Sequence, residues 1–599
     1  MLITEPHHDG SPLYVSDSGP KPGEKVTLSV RIPNSYPTTQ VYVRIYHDGE
    51  ARYFPLKQDH SAKSKTESWW RAKIEMMNEF NSYRFLIANG TEYTWLTAAG
   101  MRDFEPNSNT DFRLIARPKY PQWISERVFY QIFPDRFATS GKKRPLPDWA
   151  IPQEWEAAHQ GKYKSGGQDF YGGDFAGIES KLPYLQELGV GGIYFTPIFP
   201  SRSNHRYDAI SFDHVDPLLG GDKEFLSFLK STRKKKIKVI IDLTTNHVGV
   251  GHTWFEKAKK AKSSSKSKER GYFFWDKKSP FGYIGWFGLA SLPKLNFASK
   301  QLRTALYQGK SSAFQRWLRA PFSLDGWRID VGNMTGLYRD EDHHDGVVRE
   351  IREVIDVVNP NAWLVAENAD MQTKDLDGSS WHGTMNYQGF ARPLWSWINK
   401  NADVKPGGQG MPVDMPVIST DQFVKTMREF NGGIPWRSLV ASMNLLDSHD
   451  TARMRNIVGG DRSLHLSAMT LLLTYPGVPS IFAGDELGME GAWGEDARRP
   501  IQWAVPESWD HEFLDATKSL IALRSTSQAL AHGGLRFLSV EKDHFIFIRE
   551  VKGESIFVVI SRNPLASLKS ETITPKGFGL EGYISFFDAE AAQIWRKQG

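Results

Sequence analysis

Alternation of apolar and polar residues marks the N-terminal part of the chain. Residues 26–32, 41–45 and 83–87 place apolar side chains at every second position, and Pro-Gly and Asn-Gly pairs punctuate these runs. A period of two is typical of strands that bury one face. We therefore predict an N-terminal β-sandwich domain over residues 1–120, with residues 116–122 as the link to the next domain.

Beyond residue 127 the pattern changes to short apolar runs that alternate with helical stretches. This alternation is typical of a parallel sheet whose strands are connected by helices. Candidate strands begin around Val128, Gly192, Val239, Gly326, Trp363, Thr384, Ser442 and Pro479. Since eight such strands close a barrel, the fold class predicted for residues 121–521 is α/β, a (β/α)8 TIM barrel.

Two further segments complete the predicted organisation. Residues 247–297 form a long insertion after the third barrel strand, rich in aromatic residues, glycine and lysine. A connection of this length is usually functional. Beyond residue 521 short apolar runs return, which predicts a C-terminal antiparallel β domain over residues 522–599.

Composition and charge exclude several classes of function. The chain has 599 residues, 40% hydrophobic and 24% charged, as in ordinary globular proteins of several domains. The net charge is only +5, and no aromatic-basic module surrounds the lysine-rich stretches, so we expect no nucleic-acid partner. The absence of cysteine excludes disulfides and thiol chemistry. Because neither a signal-peptide pattern nor an apolar run of membrane-spanning length occurs, we expect a cytoplasmic protein without a membrane partner.

Acidic residues and histidines follow four of the predicted barrel strands. Because the carboxyl ends of parallel strands meet at one edge of a barrel, we expect these residues to converge there. The four segments contain Asp242 and His247, then Arg328 and Asp330, then Glu367 and Asn368, and finally Asp447, His449 and Asp450.

Carboxyl groups that converge at one place suit the cleavage of a glycosidic bond, and cleavage with retention of configuration needs two of them. That reaction uses a carboxylate nucleophile and a carboxylic acid roughly 5–5.5 Å apart, for which Asp330 and Glu367 are the candidates. Arg328 lies two residues before Asp330, so both side chains share one face of the strand and the guanidinium favours the ionised carboxylate. Glu367 follows an apolar run, where burial beside another carboxylate raises its pKa and favours the proton donor.

Each of these residues has a purely structural alternative. A single aspartate at a strand end is more often a helix cap or an ion-pair partner, and His247 or Tyr207 alone is more often part of a core. The occurrence of all four segments in one order, each after a predicted strand, favours the catalytic interpretation over the structural one.

The four segments resemble the signature regions of the α-amylase family, glycoside hydrolase family 13. Residues 129–137, 171–174, 196–199, 203–208 and 483–486 also resemble that family and occur in the family order. The resemblance covers residues 121–503. Together with the N-terminal β module, residues 292–296, 385–387 and 527–530 resemble the maltodextrin glucosidases, cyclomaltodextrinases, neopullulanases and maltogenic amylases.

The resemblance implies a role for each matching residue. It implies that Asp330 is the nucleophile, Glu367 the acid/base, and Asp450 a carboxylate that helps to distort the bound glucose. It also implies a substrate-binding group that consists of Tyr207 as an aromatic platform, Asp208, His247, Arg328, His449 and, on the leaving-group side, Asn368.

The implied activity is hydrolysis of α-1,4-glucosidic bonds, with α-1,6 bonds open, in short linear or cyclic maltooligosaccharides. A transglycosylase that uses the same covalent intermediate is the alternative, and a non-catalytic sugar-binding or scaffold protein is a further one. The resemblance also implies a homodimer formed through the N-terminal domain.

One departure from the family concerns metal binding. Many relatives carry an Asn-rich calcium loop after the first barrel strand, whereas residues 138–145 of this chain read Ala-Thr-Ser-Gly-Lys-Lys-Arg-Pro. The loop therefore has positively charged side chains at positions where a calcium site requires oxygen ligands. We therefore expect no cofactor, with calcium at this loop as the alternative.

Overall fold

Eight parallel strands form the central barrel of the molecule. The computed structural model describes residues 2–61, 66–116, 120–156, 167–261, 267–368, 370, 372–401, 404, 415–568 and 572–597. Neighbouring strands in the sheet follow chain order, and the first strand pairs with the eighth. A bridge between Met385 and Met443 joins the sixth and seventh strands and closes the ring. This confirms the predicted TIM barrel. The strands are Phe129–Ile132, Gly192–Phe195, Lys238–Thr244, Gly326–Asp330, Trp363–Ala366, Gly383–Thr384, Met443–Leu445 and Val478–Phe482.

The barrel strands are buried on both faces. Every residue of Trp363–Ala366 and of Gly326–Asp330 is buried, as expected for a parallel sheet covered by helices. Gly326 starts the strand that carries Arg328 and Asp330. An added Cβ at this glycine would lie 2.1 Å from the carbonyl oxygen of Trp363, so only glycine allows the two strands to approach.

Amphipathic helices cover the outside of the barrel. In Gly221–Lys234 the buried residues Phe225, Phe228, Leu229 and Thr232 recur at helical spacing and face the barrel. The α-helices of the described chain are Pro134–Phe137, Phe175–Ser180, Leu182–Leu188, Gly221–Lys234, Thr253–Lys260, Lys300–Arg303, Ala313–Leu318, His344–Val358, Gln372–Asp375, Arg392–Ile398, Thr420–Gly432, Trp436–Val440, Met454–Ile457, Arg462–Thr474, Gly494–Ala497, His511–Thr526 and Gln528–His532.

The insertion after the third barrel strand leaves the barrel and returns to it. It holds the helix Thr253–Lys260, and its returning segment forms a bridge between Lys294 and His247. The backbone N–H of Leu295 also donates to the carbonyl of Asn246 at 3.0 Å. The insertion is therefore fastened to the barrel beside a predicted site residue, His247.

Two antiparallel sheets pack face to face in the N-terminal domain. Residues such as Val30, Val43 and Phe85 form a core that is separate from the barrel core. The strands are Lys25–Pro33, Glu67–Glu75 and Lys57–Gln58 in one sheet, and Glu50–Pro55, Gln40–His47, Phe80–Asn89, Glu92–Thr97, Gly100–Arg102 and Phe112–Ile115 in the other. The predicted β-sandwich is therefore present.

The C-terminal domain is one antiparallel sheet of five strands. They are Gly534–Val540, His544–Val551, Glu554–Ser561, Tyr583–Ala589 and Ala592–Lys597, and the last of them lies between the third and the fourth. The domain boundary predicted between residues 521 and 522 falls inside the helix His511–Thr526.

Partly buried ion pairs connect the two β domains directly. Arg31 of the sandwich lies 2.6 Å from Glu550 of the C-terminal sheet, and Arg536 pairs in return with Glu67 of the sandwich. Arg113 also donates to the carbonyl of Gly433 on the barrel at 2.5 Å. The sandwich therefore lies against the C-terminal sheet and one side of the barrel.

Among the described residues, no helix combines the length and apolar character needed to cross a membrane.

Candidate active site

Arg328 connects three carboxylates at the carboxyl end of the barrel. One terminal nitrogen lies 2.7 Å from Asp242 and 3.1 Å from Asp330, and the other lies 3.0 Å from Glu367. Asp242 and Arg328 are register partners on adjacent strands, and Arg328 and Asp330 alternate along one strand, which directs all three side chains to the same place. The two acids predicted to act together thus lie within hydrogen-bond reach of one guanidinium.

A strained turn fixes the position of Glu367 relative to Asp330. Val331, directly after Asp330, has φ 39° and ψ 51°, a left-handed conformation that is rare for a β-branched residue and costs about 1–3 kcal/mol. In this conformation the Val331 N–H donates to Glu367 Oε2 at 3.0 Å. The neighbouring N–H of Gly332 donates to the Glu367 carbonyl at 2.7 Å. The strain therefore serves to hold the two acids together.

Two tyrosines anchor the inner side of the site. Both hydroxyl groups donate to the same oxygen of Asp242, that of Tyr194 at 2.9 Å and that of Tyr207 at 2.8 Å. The ring of Tyr207 also lies parallel to that of His449, with 5.5 Å between centroids and 6° between planes. Asp242 thus holds both Arg328 and Tyr207 in position.

His449 and Asp450 lie on the opposite side of this cluster. His449 Nδ1 lies 2.8 Å from Gln131 Nε2, and its Nε2 lies 2.7 Å from the Tyr207 hydroxyl. Because an amide N–H₂ can only donate, Nδ1 accepts and Nε2 carries the proton. The guanidinium of Arg498 contacts Asp450 at 3.0 Å and donates to the His449 carbonyl at 2.7 Å.

The exposed fraction of the side chains decreases across the site. Side-chain exposure falls from 43% at Asp450 through 19% at Glu367 to 10% at Asp330 and 1% at Arg328. Asp450 therefore lies nearest to solvent among these four side chains.

His247 lies at the edge of the cluster, against the insertion. Its ring stacks on Trp286 of the insertion at 4.9 Å and 15°, and its Nδ1 lies 3.2 Å from the amide nitrogen of Asn246. Nε2 is buried and has no hydrogen-bond partner among the described residues. A buried donor or acceptor without a partner is costly, so this nitrogen is suited to a ligand hydroxyl.

Two predicted substrate-binding residues direct their side chains elsewhere. Asp208 accepts hydrogen bonds from Ser203 Oγ at 2.5 Å and from the N–H of Arg202 at 3.1 Å, both on its own loop. The amide of Asn368 donates to Asp375. These contacts give both residues a role in shaping loops, and direct substrate contact by them stays a prediction.

The environment shifts the pKa values of the acids in different directions. Burial, and next the charge of Glu367, raise the pKa of Asp330 well above its ordinary value. Burial also raises the pKa of Asp242 to about 6, against the opposing effect of Arg328. At Asp450 burial acts in the same direction, but His449, Arg498 and Arg328 outweigh it and lower the pKa. The site thus combines two carboxyl groups whose protonated form is favoured, Asp330 and Asp242, with one whose ionised form is favoured, Asp450.

Burial keeps the two histidines of the site neutral. It lowers the pKa of His449 to about 3 and, together with the charge of Lys294, that of His247 to about 3. Neutral imidazoles can donate one hydrogen bond and accept another, which suits sugar hydroxyls.

Arg328 does not separate the roles of the two acids in the way that the sequence indicated. Its position two residues before Asp330 predicted a preference for that carboxylate, whereas the guanidinium contacts Glu367 equally closely. The sequence also missed Gln131, Tyr194 and Arg498. Arg498 follows the eighth strand by many residues, and only the folded chain brings it to Asp450.

No metal cluster is evident in the described part of the chain. There, no group of three or more histidine and acidic side chains is arranged to hold a metal ion. The carboxylates of the site are compensated by Arg328 and Arg498 instead. The arrangement can protonate a leaving group and present a carboxylate to an electrophilic carbon.

Comparison with known proteins points to one family. The family described as "Alpha amylase, catalytic domain" matches residues 131–529. A cyclomaltodextrinase from Geobacillus thermopakistaniensis is 28% identical over 566 residues, which cover 92% of this chain and 89% of the relative. The intracellular maltogenic amylase of Bacillus subtilis is 26% identical over 531 residues, or 86% of this chain and 83% of that enzyme.

Solved structures give the same result. The structure of a cyclomaltodextrinase superposes with a TM-score of 0.70 at 25% sequence identity, and the match covers 94% of this chain and 92% of that one. The similarity therefore includes both β domains as well as the barrel.

Proposed function

Because this chain belongs to the α-amylase family of glycosidases and hydrolyses α-glucans, we propose that it cleaves α-1,4-glucosidic bonds in short linear or cyclic maltooligosaccharides with retention of configuration. The observation that carries the proposal is the contact of one guanidinium with both Asp330 and Glu367. This contact supports the proposal, because a double displacement uses two carboxyl groups that lie close together.

In the proposed first step Asp330 acts as nucleophile. Its carboxylate attacks the anomeric carbon while the bond from that carbon to the leaving oxygen breaks, and Glu367 gives its proton to that oxygen. A β-glycosyl-aspartate results. In the second step Glu367 takes a proton from water, the hydroxide attacks the same carbon, and Asp330 is released.

The surrounding residues would bind the sugar in this scheme. Tyr207 offers a ring face, and the buried Nε2 of His247 offers a hydrogen bond to a hydroxyl group. His449 contacts Gln131 and Tyr207 through its two ring nitrogens and so supports the position of Tyr207. Asp450 stays ionised and can accept hydrogen bonds from the distorted sugar. Arg328 compensates charge on the acids as the proton moves.

The dependence of the rate on pH follows from the shared proton. The reactive form has one proton on the Asp330–Glu367 pair, so kcat/KM should fall at low pH, where both acids are protonated, and at high pH, where both are ionised. Because the pKa of Asp330 is raised in the pair, we expect the alkaline limb well above the pKa of about 4.3 of an isolated glutamate. A pH profile of the wild type with maltotriose, whose leaving oxygen needs the proton, tests this.

The variant Glu367→Gln is the matched control for the pH profile. With a leaving group that needs little protonation, this variant requires only an ionised Asp330, so the alkaline limb should disappear while the acid limb remains. An alkaline limb that persists in Glu367→Gln would assign it to another group.

Product analysis separates the proposed hydrolase from a transglycosylase. We expect maltotriose and a cyclodextrin to give glucose and maltose as main products at low substrate concentration. Pullulan and panose in the same assay report on α-1,6 bonds. Products longer than the substrate that dominate even at low substrate concentration would favour transfer, since water exclusion and acceptor binding decide between the outcomes.

We further propose that the chain forms a homodimer through its N-terminal domain in the cytoplasm. In the single chain the sandwich contacts the C-terminal sheet and the barrel side, through pairs such as Arg31 with Glu550 and Arg113 with Gly433. It could therefore narrow an active site only in a partner chain. A relative named as intracellular is consistent with the location. A monomer in solution that digests starch as fast as maltotriose would exclude the dimer proposal.

A further inference from the structure

The loop after the first barrel strand, residues 138–145, contains positively charged side chains that pair with carboxylates of the barrel. Nη1 of Arg144 lies 2.5 Å from Asp174, and Nη2 lies 2.9 Å from Glu224. Lys142 Nζ contacts the second oxygen of Glu224 at 2.8 Å. One guanidinium thus bridges two carboxylates that belong to different parts of the barrel, and a second cation completes the pairing.

Asp174 lies in a position where a charge needs compensation. It is fully buried, and its side chain caps the helix Phe175–Ser180 through the N–H of Gly177 at 2.7 Å. Ser140 of the loop donates to the same carboxylate through its N–H at 3.1 Å and its hydroxyl at 2.5 Å. Removing the positive partner of a buried charge is costly because the remaining charge has lost its hydration.

The donors around these carboxylates do not fit a calcium ion. Calcium takes six to eight oxygen ligands at about 2.3–2.6 Å. Both oxygens of Asp174 and both oxygens of Glu224 already accept N–H or O–H donors from Ser140, Lys142 and Arg144. A metal ion would have to displace the guanidinium before it could bind.

We propose that Arg144 replaces a metal ion in this loop: its guanidinium fastens the loop to Asp174 and Glu224 and makes the fold here independent of divalent cations. The feature would distinguish this chain from relatives that use calcium after the first barrel strand. The loop lines a cavity of about 300 Å³ together with Tyr171 and Arg206. The conformation of the loop therefore determines the shape of this cavity.

Thermal unfolding of the full-length protein tests the proposal. The unfolding temperature of the wild type should not change with EDTA or with millimolar calcium chloride. In Arg144→Ala it should fall by at least about 3 °C, because Asp174 loses its cation. Millimolar calcium should then raise the unfolding temperature of the variant, since the vacated space leaves two carboxylates that a divalent ion can bridge.

Lys143→Ala is the matched control, because this neighbouring lysine is exposed and makes no ion pair with a described residue. It should behave as the wild type with and without calcium. Three results would overturn the proposal: a wild type that EDTA destabilises and calcium restores, an Arg144→Ala variant as stable as Lys143→Ala, or a loss of stability in Arg144→Ala that calcium does not reverse.

Discussion

Asp330→Asn should reduce kcat for maltotriose by about 10⁴-fold or more, the loss expected when the nucleophile of a covalent mechanism is removed. The amide is neutral and a poor nucleophile, yet it keeps the shape of the carboxylate. Its carbonyl can still accept from Arg328, which lies 3.1 Å from the acid. The fold should therefore persist, and circular dichroism and the unfolding temperature should stay close to those of the wild type.

Azide chemistry distinguishes a lost nucleophile from general damage. In Asp330→Ala the side chain leaves space on the face from which it would attack, so azide can react there with α-maltosyl fluoride. Direct attack inverts the configuration, and we expect β-maltosyl azide. Activity of Asp330→Asn within tenfold of the wild type would remove the proposed mechanism, and an azide product of α configuration would reassign the residue.

Glu367→Gln should reduce kcat for maltotriose by about 10²–10⁴-fold, the usual contribution of general acid–base catalysis. The loss should be much smaller with α-maltosyl fluoride, because departure of fluoride needs little protonation. Such a dependence on the leaving group is expected when the general acid of an enzyme has been removed. An equal loss with both substrates would show that Glu367 does not protonate the leaving group.

The second step gives a further test of Glu367. In Glu367→Ala the glycosyl-enzyme forms from the fluoride but lacks the base that activates water. Azide needs no base, so it should attack the intermediate and accelerate turnover. Because this is the second of two inversions, the product should be α-maltosyl azide. The two alanine variants are therefore expected to give azides of opposite configuration, which assigns nucleophile and acid/base in one experiment.

Much of the fold could be predicted because strand burial leaves a clear pattern. Both faces of the barrel strands are covered, so their apolar runs stand out, and the predicted starts such as Gly192, Gly326 and Trp363 coincide with the observed strands. The convergence of the acids could also be predicted, because parallel strands place their carboxyl ends at one edge of the barrel. Local sequence thus determines which strand carries Asp330 and which precedes Glu367.

Other parts of the site depend on contacts between distant residues. Arg498 reaches Asp450 only in the folded chain, and Tyr194 reaches Asp242 only when their two adjacent strands pair. The positive φ of Val331 is likewise invisible in the sequence, since valine disfavours that conformation. Neither periodicity nor spacing reports such contacts, because they arise from tertiary packing.

Deleting residues 1–120 would be a poor way to learn what the sandwich does. Burial acts to raise the pKa of Glu550, but Arg31 outweighs it and lowers the pKa. A truncated chain would remove Arg31 and at the same time expose to water the face of the C-terminal sheet that the sandwich covers. Lost selectivity in such a fragment would be confounded with a weakened C-terminal sheet. Substitutions of exposed residues such as Tyr53 or Tyr93 leave the pair intact and can report on substrate choice alone.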